Sequence, residues 1–76
     1  MQEDTFEKTR QSLAASIKAR RDARGLSQEA LALEAGVDRT FVSQIERGIG
    51  NPSLRIVCLL ADQLDATPFE LIAPSE

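Results

Sequence analysis

Arg39, Thr40, Ser43, Gln44 and Arg47 crowd into one short stretch, a guanidinium at each end and hydroxyl and amide groups between. If that stretch is a helix with Val42 and Ile45 turned inward, all five side chains share its outer face. None of them is a nucleophile with a base beside it. The chain has no His and one Cys, Cys58, so acid–base catalysis and a zinc site of ordinary composition both lack their usual residues. Neither a phosphate loop nor a serine elbow occurs. What such a face can do is read hydrogen-bonding edges. An Arg fork fits guanine, a Gln amide fits adenine, hydroxyls fit either, and cations fit phosphates. Taken by themselves, Arg39, Thr40, Ser43 and Gln44 would be an ordinary wet helix face; their place at base edges is expected only from the motif around them. Arg47, Asn51 and Arg55 are expected as a phosphate-binding group beside them, with Arg47 also complementing the dipole of its own helix end. No catalytic residue, metal, cofactor or small-molecule ligand is expected, and the chain is not expected to be an enzyme.

A reading face needs a frame to hold it, and the punctuation of the sequence supplies one. Gly25, Gly36, Gly48, Gly50, Pro52 and Pro68 divide the apolar segments into five short helices, and no stretch alternates long enough for a strand. The expected fold is all-α. The first helix runs from about Asp4 or Thr9 to Arg24, with Leu13, Ile17 and Phe6 on its apolar stripe. The second opens at Ser27, an N-cap residue, and ends at Ala35-Gly36. The third opens at Asp38 and ends at Arg47-Gly48, and a fourth follows Ser53 as far as Leu64. The fifth is a stub capped by Thr67 with Pro68 at its first position. Between the second and third helices, Ala32 is small enough for close approach, and Gly36 meets the need for a positive φ in the turn. Leu31, Ala35, Val37, Val42 and Ile45 close the wedge.

Bulk properties set the bounds. Seventy-six residues make one domain, 1–76, with 1–8 as a frayed N-terminal extension and 73–76 as a tail. The net charge is −3, which alone disfavours an anionic partner, but residues 16–55 carry seven basic against five acidic side chains. Residues 56–76 carry no basic and four acidic ones. One end of the molecule is thus suited to face an anion. The longest apolar run, Ile56 to Ala61, is six residues, too short for a membrane span or a signal segment. With a single Cys unable to form an internal disulfide, the expected location is cytoplasmic.

Taken together, Arg24-Gly25-Leu26-Ser27-Gln28-Glu29, Ala35-Gly36-Val37, Val42-Ser43-Gln44-Ile45-Glu46-Arg47-Gly48 and Asn51-Pro52-Ser53-Leu54 resemble the lambda-repressor-like (Cro and repressor) helix-turn-helix family. The resemblance spans about residues 13–72, and in size the chain is similar to the controller proteins of restriction–modification systems. It implies a five-helix DNA-binding domain with the helix-turn-helix at helices two and three. The recognition helix, about 38–47, would lie in the major groove of a double-stranded operator. It implies phosphate contacts by Ser27 and Gln28 at the head of helix two. It also implies a structural ion pair of Arg21 with Glu46, with Arg21 reaching a phosphate as well. A bacterial or phage transcription regulator, nucleoid-associated when bound, would have RNA polymerase as a further partner. Arg20 departs from the pattern, standing where many members place an apolar residue. The competing expectation is an antitoxin-like or adaptor subunit that keeps this shape without an operator of its own.

Helix four carries one further signal. Leu54, Val57, Cys58, Ala61 and Leu64 cluster on a face suited to the core, Cys58 as a buried inert thiol. Ile56 and Leu59 point elsewhere, beside Gln63, and Phe69 follows in helix five. Related controllers and repressors pair through this end, so a homodimer through Ile56, Leu59, Gln63 and Phe69 is expected on a pseudo-palindromic operator.

Overall fold

Four of the helices begin where a short polar side chain can take up a backbone N–H that the helix itself leaves unpaired. In the computed structural model, which describes residues 2–74, the elements are α1 (Gln2–Ala23), α2 (Gln28–Ala35), α3 (Arg39–Glu46), α4 (Leu54–Gln63) and α5 (Pro68–Ile72). Ser27 accepts from the Ala30 N–H at 2.9 Å, Asp38 from Thr40 at 2.8 Å and Ser53 from Ile56 at 3.1 Å. At α5, Thr67 accepts from the Glu70 N–H at 3.0 Å while Glu70 accepts from the Thr67 N–H at 2.9 Å. That reciprocal box lets a helix of one turn hold. Gly36 ends α2 at φ 73°, and the Val37 N–H closes back onto the Ala32 carbonyl at 3.0 Å. No strand occurs among the described residues, and none of the helices there is long and apolar enough to cross a membrane.

α1 starts earlier than expected. Residues 2–8, anticipated as a frayed extension, continue the helix in register. The expected tail, 73–76, falls partly outside the described residues. Along α1 the buried positions are Leu13, Ile17 and Arg21, four apart and so on one face. The core sits where that face meets the other four helices. It comprises Leu13, Ile17, Leu31, Ala32, Ala35, Val42, Ile45, Val57, Leu60, Ala61, Leu64 and Leu71. α2 packs on α3 and α4, and α1 lies across α3 and α5.

α4 is rotated from the expected setting. Leu54, expected in the core, is 75% exposed, and Leu60 takes the buried place instead. The buried set Val57, Leu60, Ala61 and Leu64 centres about 70° round the helix from Leu54. Leu54 also stands at the first turn, outside the cover of the neighbouring helices. For the same reason Cys58 is half-buried, not buried. Ile56 and Leu59, expected to point away, pack partly against the core.

Candidate nucleic-acid interface

α3 divides along its length. Val42 and Ile45 are buried, Arg39, Thr40 and Arg47 are exposed, and Ser43 and Gln44 are half-buried at the edge of the same polar face. No hydrogen bond within the described residues occupies the side chain of Arg39. At the head of the helix, hydrogen bonds from the Thr40 backbone and then its hydroxyl hold the Asp38 carboxyl below the ordinary aspartate value. Asp38 is thus ionised at the positive end of α3, where the helix dipole favours it.

The segment after α3 folds back over it. The Gln44 carbonyl accepts from the N–H groups of Ile49 at 3.1 Å and Gly50 at 3.3 Å. A Cβ on Gly50 would stand 3.2 Å from the Gln44 Cβ, closer than nearly all such contacts, so a glycine lets the loop lie this near. From the other side Arg10 donates to the Gly50 carbonyl at 3.4 Å. The result is a shallow cleft lined by Phe41, Gln44, Ile45, Gly50, Asn51 and Pro52. It brings exposed Asn51 beside Gln44. Arg55, also exposed, is one residue into the first turn of α4.

The far end of α3 is anchored. Arg21 donates through Nε to Glu46 Oε2 at 2.7 Å and through Nη2 to Oε1 at 3.0 Å, while Nη1 donates to the Leu26 carbonyl at 2.6 Å. Gln28 adds a bond to Glu46 Oε1 at 3.0 Å. Burial pushes the Glu46 carboxyl up, but the bonds from Arg21 and Gln28, with the charges of Arg21 and Lys18, outweigh it and hold it below the ordinary glutamate value. The hydrogen bond to Glu46 likewise raises the Arg21 guanidinium. Arg21, expected to touch a phosphate as well, is buried and directs all three guanidinium nitrogens into the domain. Gln28, expected at a phosphate, gives its amide nitrogen to Glu46 and is half-buried, whereas Ser27 stays exposed while capping α2. Arg20 is half-buried. The Gln28–Glu46 bond was absent from the sequence reading, because 18 positions separate the partners and no local pattern links them.

On the C-terminal surface Phe69 is 76% exposed, while Ile56, Leu59 and Gln63 are half-buried. Leu54 and Ile72 are exposed as well. With Phe6, Leu13, Pro52 and Pro68 they line a groove of about 280 Å³ between α1, α4 and α5. The Arg10 guanidinium lies over the Phe6 ring, 4.6 Å from its centroid. Leu54 was missed because a run of apolar residues on α4 makes several faces look alike.

The helix-turn-helix family HTH_3 matches residues 17–71. A curated relative, the "Neisseria hypothetical transcription factor" of Neisseria meningitidis serogroup B, is 36% identical over 64 residues, which cover 84% of this chain. The matched part is 60% of that relative's own length. Among solved structures, the restriction-modification controller protein C.AhdI from Aeromonas hydrophila superposes with a TM-score of 0.76 at 42% identity, covering 82% of this chain and 94% of its own. SinR, described as the master regulator for biofilm formation and solved in complex with DNA, gives 0.76 at 32% identity, covering 80% and 98%.

Proposed function

This chain belongs to the helix-turn-helix family HTH_3, and from that membership we propose that it is a transcription regulator binding double-stranded DNA by sequence. α3 enters the major groove, with Arg39, Thr40, Ser43 and Gln44 at base edges. Ser27, Arg47, Asn51 and Arg55 meet phosphates on either side. The observation that carries this reading is the division of α3: one face is locked into the core by Val42 and Ile45, and the opposite face holds hydrogen-bonding groups. The anchoring of Glu46 by Arg21 and Gln28 supports it, since a base-reading helix must be held rigidly for register. SinR, similar over most of its length, was solved with DNA.

The regulator acts as a homodimer on a pseudo-palindromic operator, its two recognition helices about 34 Å apart on one DNA face. Exposed Phe69, with Ile72 one turn along α5, supports a pairing surface at this end, to which Ile56, Leu59 and Gln63 contribute edges. Its place is the cytoplasm, at the nucleoid, with RNA polymerase as the further partner of such a regulator.

Selection from a random duplex pool, followed by binding to the recovered sequence at rising salt, tests the DNA reading. A recovered palindromic site and affinity falling steeply with salt are expected. Absence of retention at low salt would overturn it and favour the adaptor or antitoxin-like role, which the net charge of −3 suits better. Sedimentation at micromolar concentration tests the pairing. Phe69→Asp is the clean variant, because Leu59 packs partly on the core. A parent that stays monomeric removes the dimer.

A further inference from the structure

Phe41 stands out on α3. It is 42% exposed, and it belongs neither to the buried core nor to the partly buried apolar set packed against that core. Single exposed apolar residues are common and ordinarily carry no meaning. This one sits elsewhere than on an ordinary wet face. It follows Arg39 and Thr40 directly, and it lines the shallow cleft beside Gln44 and Asn51. At about 100° per residue it flanks Gln44, on the border between the buried and polar faces. A phenyl ring offers no hydrogen bond, so whatever it meets on a nucleic acid must be apolar. In the major groove the base edges are donors and acceptors with one apolar exception, the C5-methyl group of thymine.

We infer that Phe41 reads a thymine methyl group in the half-site, next to the base pairs addressed by Gln44 and Thr40. The inference rests on the DNA-binding reading above and assigns to that surface a residue that discriminates by shape, not by hydrogen bonding. It predicts a half-site in which one thymine is preferred over any base lacking the methyl group.

The test is a uracil scan. In the selected operator each thymine of the half-site is replaced in turn by uracil, which keeps every hydrogen bond and removes only the methyl. With the parent protein, one replacement should weaken binding about fourfold, the worth of one buried methyl group. Phe41→Ala should bind the thymine operator more weakly and lose its sensitivity to that uracil. Phe41→Leu, which keeps an apolar side chain and guards against a folding defect, should retain part of it. A parent indifferent to every uracil replacement overturns the assignment, and so does a Phe41→Ala protein as sensitive as the parent. If the protein binds no duplex at all, the DNA reading itself fails. Binding without methyl dependence removes Phe41 alone.

Discussion

Arg21 and Glu46 form a two-pronged ion pair, Nε to Oε2 at 2.7 Å and Nη2 to Oε1 at 3.0 Å, that ties the last turn of α1 to the last turn of α3. Their side chains are only 11% and 5% exposed, so water screens the pair little. Removing one partner strands the other, a loss of about 3 kcal/mol. Glu46→Ala should therefore lower the thermal midpoint by more than about 10 °C in a domain this small. In a double-mutant cycle with Arg21→Met, the loss from the double variant should fall well short of the sum. Additivity within about 0.5 kcal/mol would dissolve the pair.

Acid should act through the same group. Glu46 titrates below its ordinary value in the folded chain. Its stabilisation is then fully present above the unfolded glutamate value of about 4.3 and is lost as pH falls through the lower folded value. Asp38 is displaced in the same direction by its hydrogen bonds from Thr40 and adds to the same slope. Thermal melts from pH 7 downward should show the parent losing stability steeply below about pH 4.3, with Glu46→Gln less stable at neutral pH but flatter in acid. Parallel curves for parent and variant would contradict the role of Glu46.

Two groups of exposed side chains should separate in binding assays. Arg39→Ala or Gln44→Ala should relax the preference at one operator position, about 1–3 kcal/mol against the correct base, with the melting curve unchanged. Arg47→Ala or Arg55→Ala should weaken binding to every sequence about equally and reduce the salt slope by roughly one. A sequence-selective loss from Arg47→Ala would move that residue to the base edges.

α4 ends on a residue in an unfavourable conformation. Asp65 has φ 56°, the one positive φ outside glycine among the described residues, and it allows the Ala66 N–H to reach the Ala61 carbonyl at 3.0 Å. Gly36 makes the corresponding turn after α2 without that cost. Asp65→Gly should stabilise the domain by about 0.5–1 kcal/mol, since Asp tolerates this region only partly. A thermal midpoint that falls instead would show that the Asp65 side chain contributes a bond of its own.

Much of this architecture was legible in residues close together in the chain. Ser27, Asp38, Ser53 and the Thr67-Pro68 pair each cap a helix through a bond spanning two or three positions, so their signal is complete within one turn. Gly36 is equally local, because its φ is a property of one residue. From these alone come the starts of α2, α3, α4 and α5, their order and the turn that sets α2 against α3. The inward placement of Val42 and Ile45, and with it the polar face of α3, also follows from spacing.

Other features were settled only by packing. Six consecutive apolar residues from Ile56 to Ala61 leave several faces of α4 equally suited to burial. The positions of α2 and α5 selected Leu60 and left Leu54 in the open. Whether Arg21 faces a phosphate or the domain depended on where Glu46 and the Leu26 carbonyl came to lie, and all three guanidinium nitrogens turned inward. Gln28 was drawn to the same carboxylate, and the loop at Gly50 was pressed against Gln44. Caps and turns depend on bonds that one stretch of backbone makes with itself. Burial and long-range ion pairs depend on which distant surface arrives, and that is decided when the five helices close on a common core.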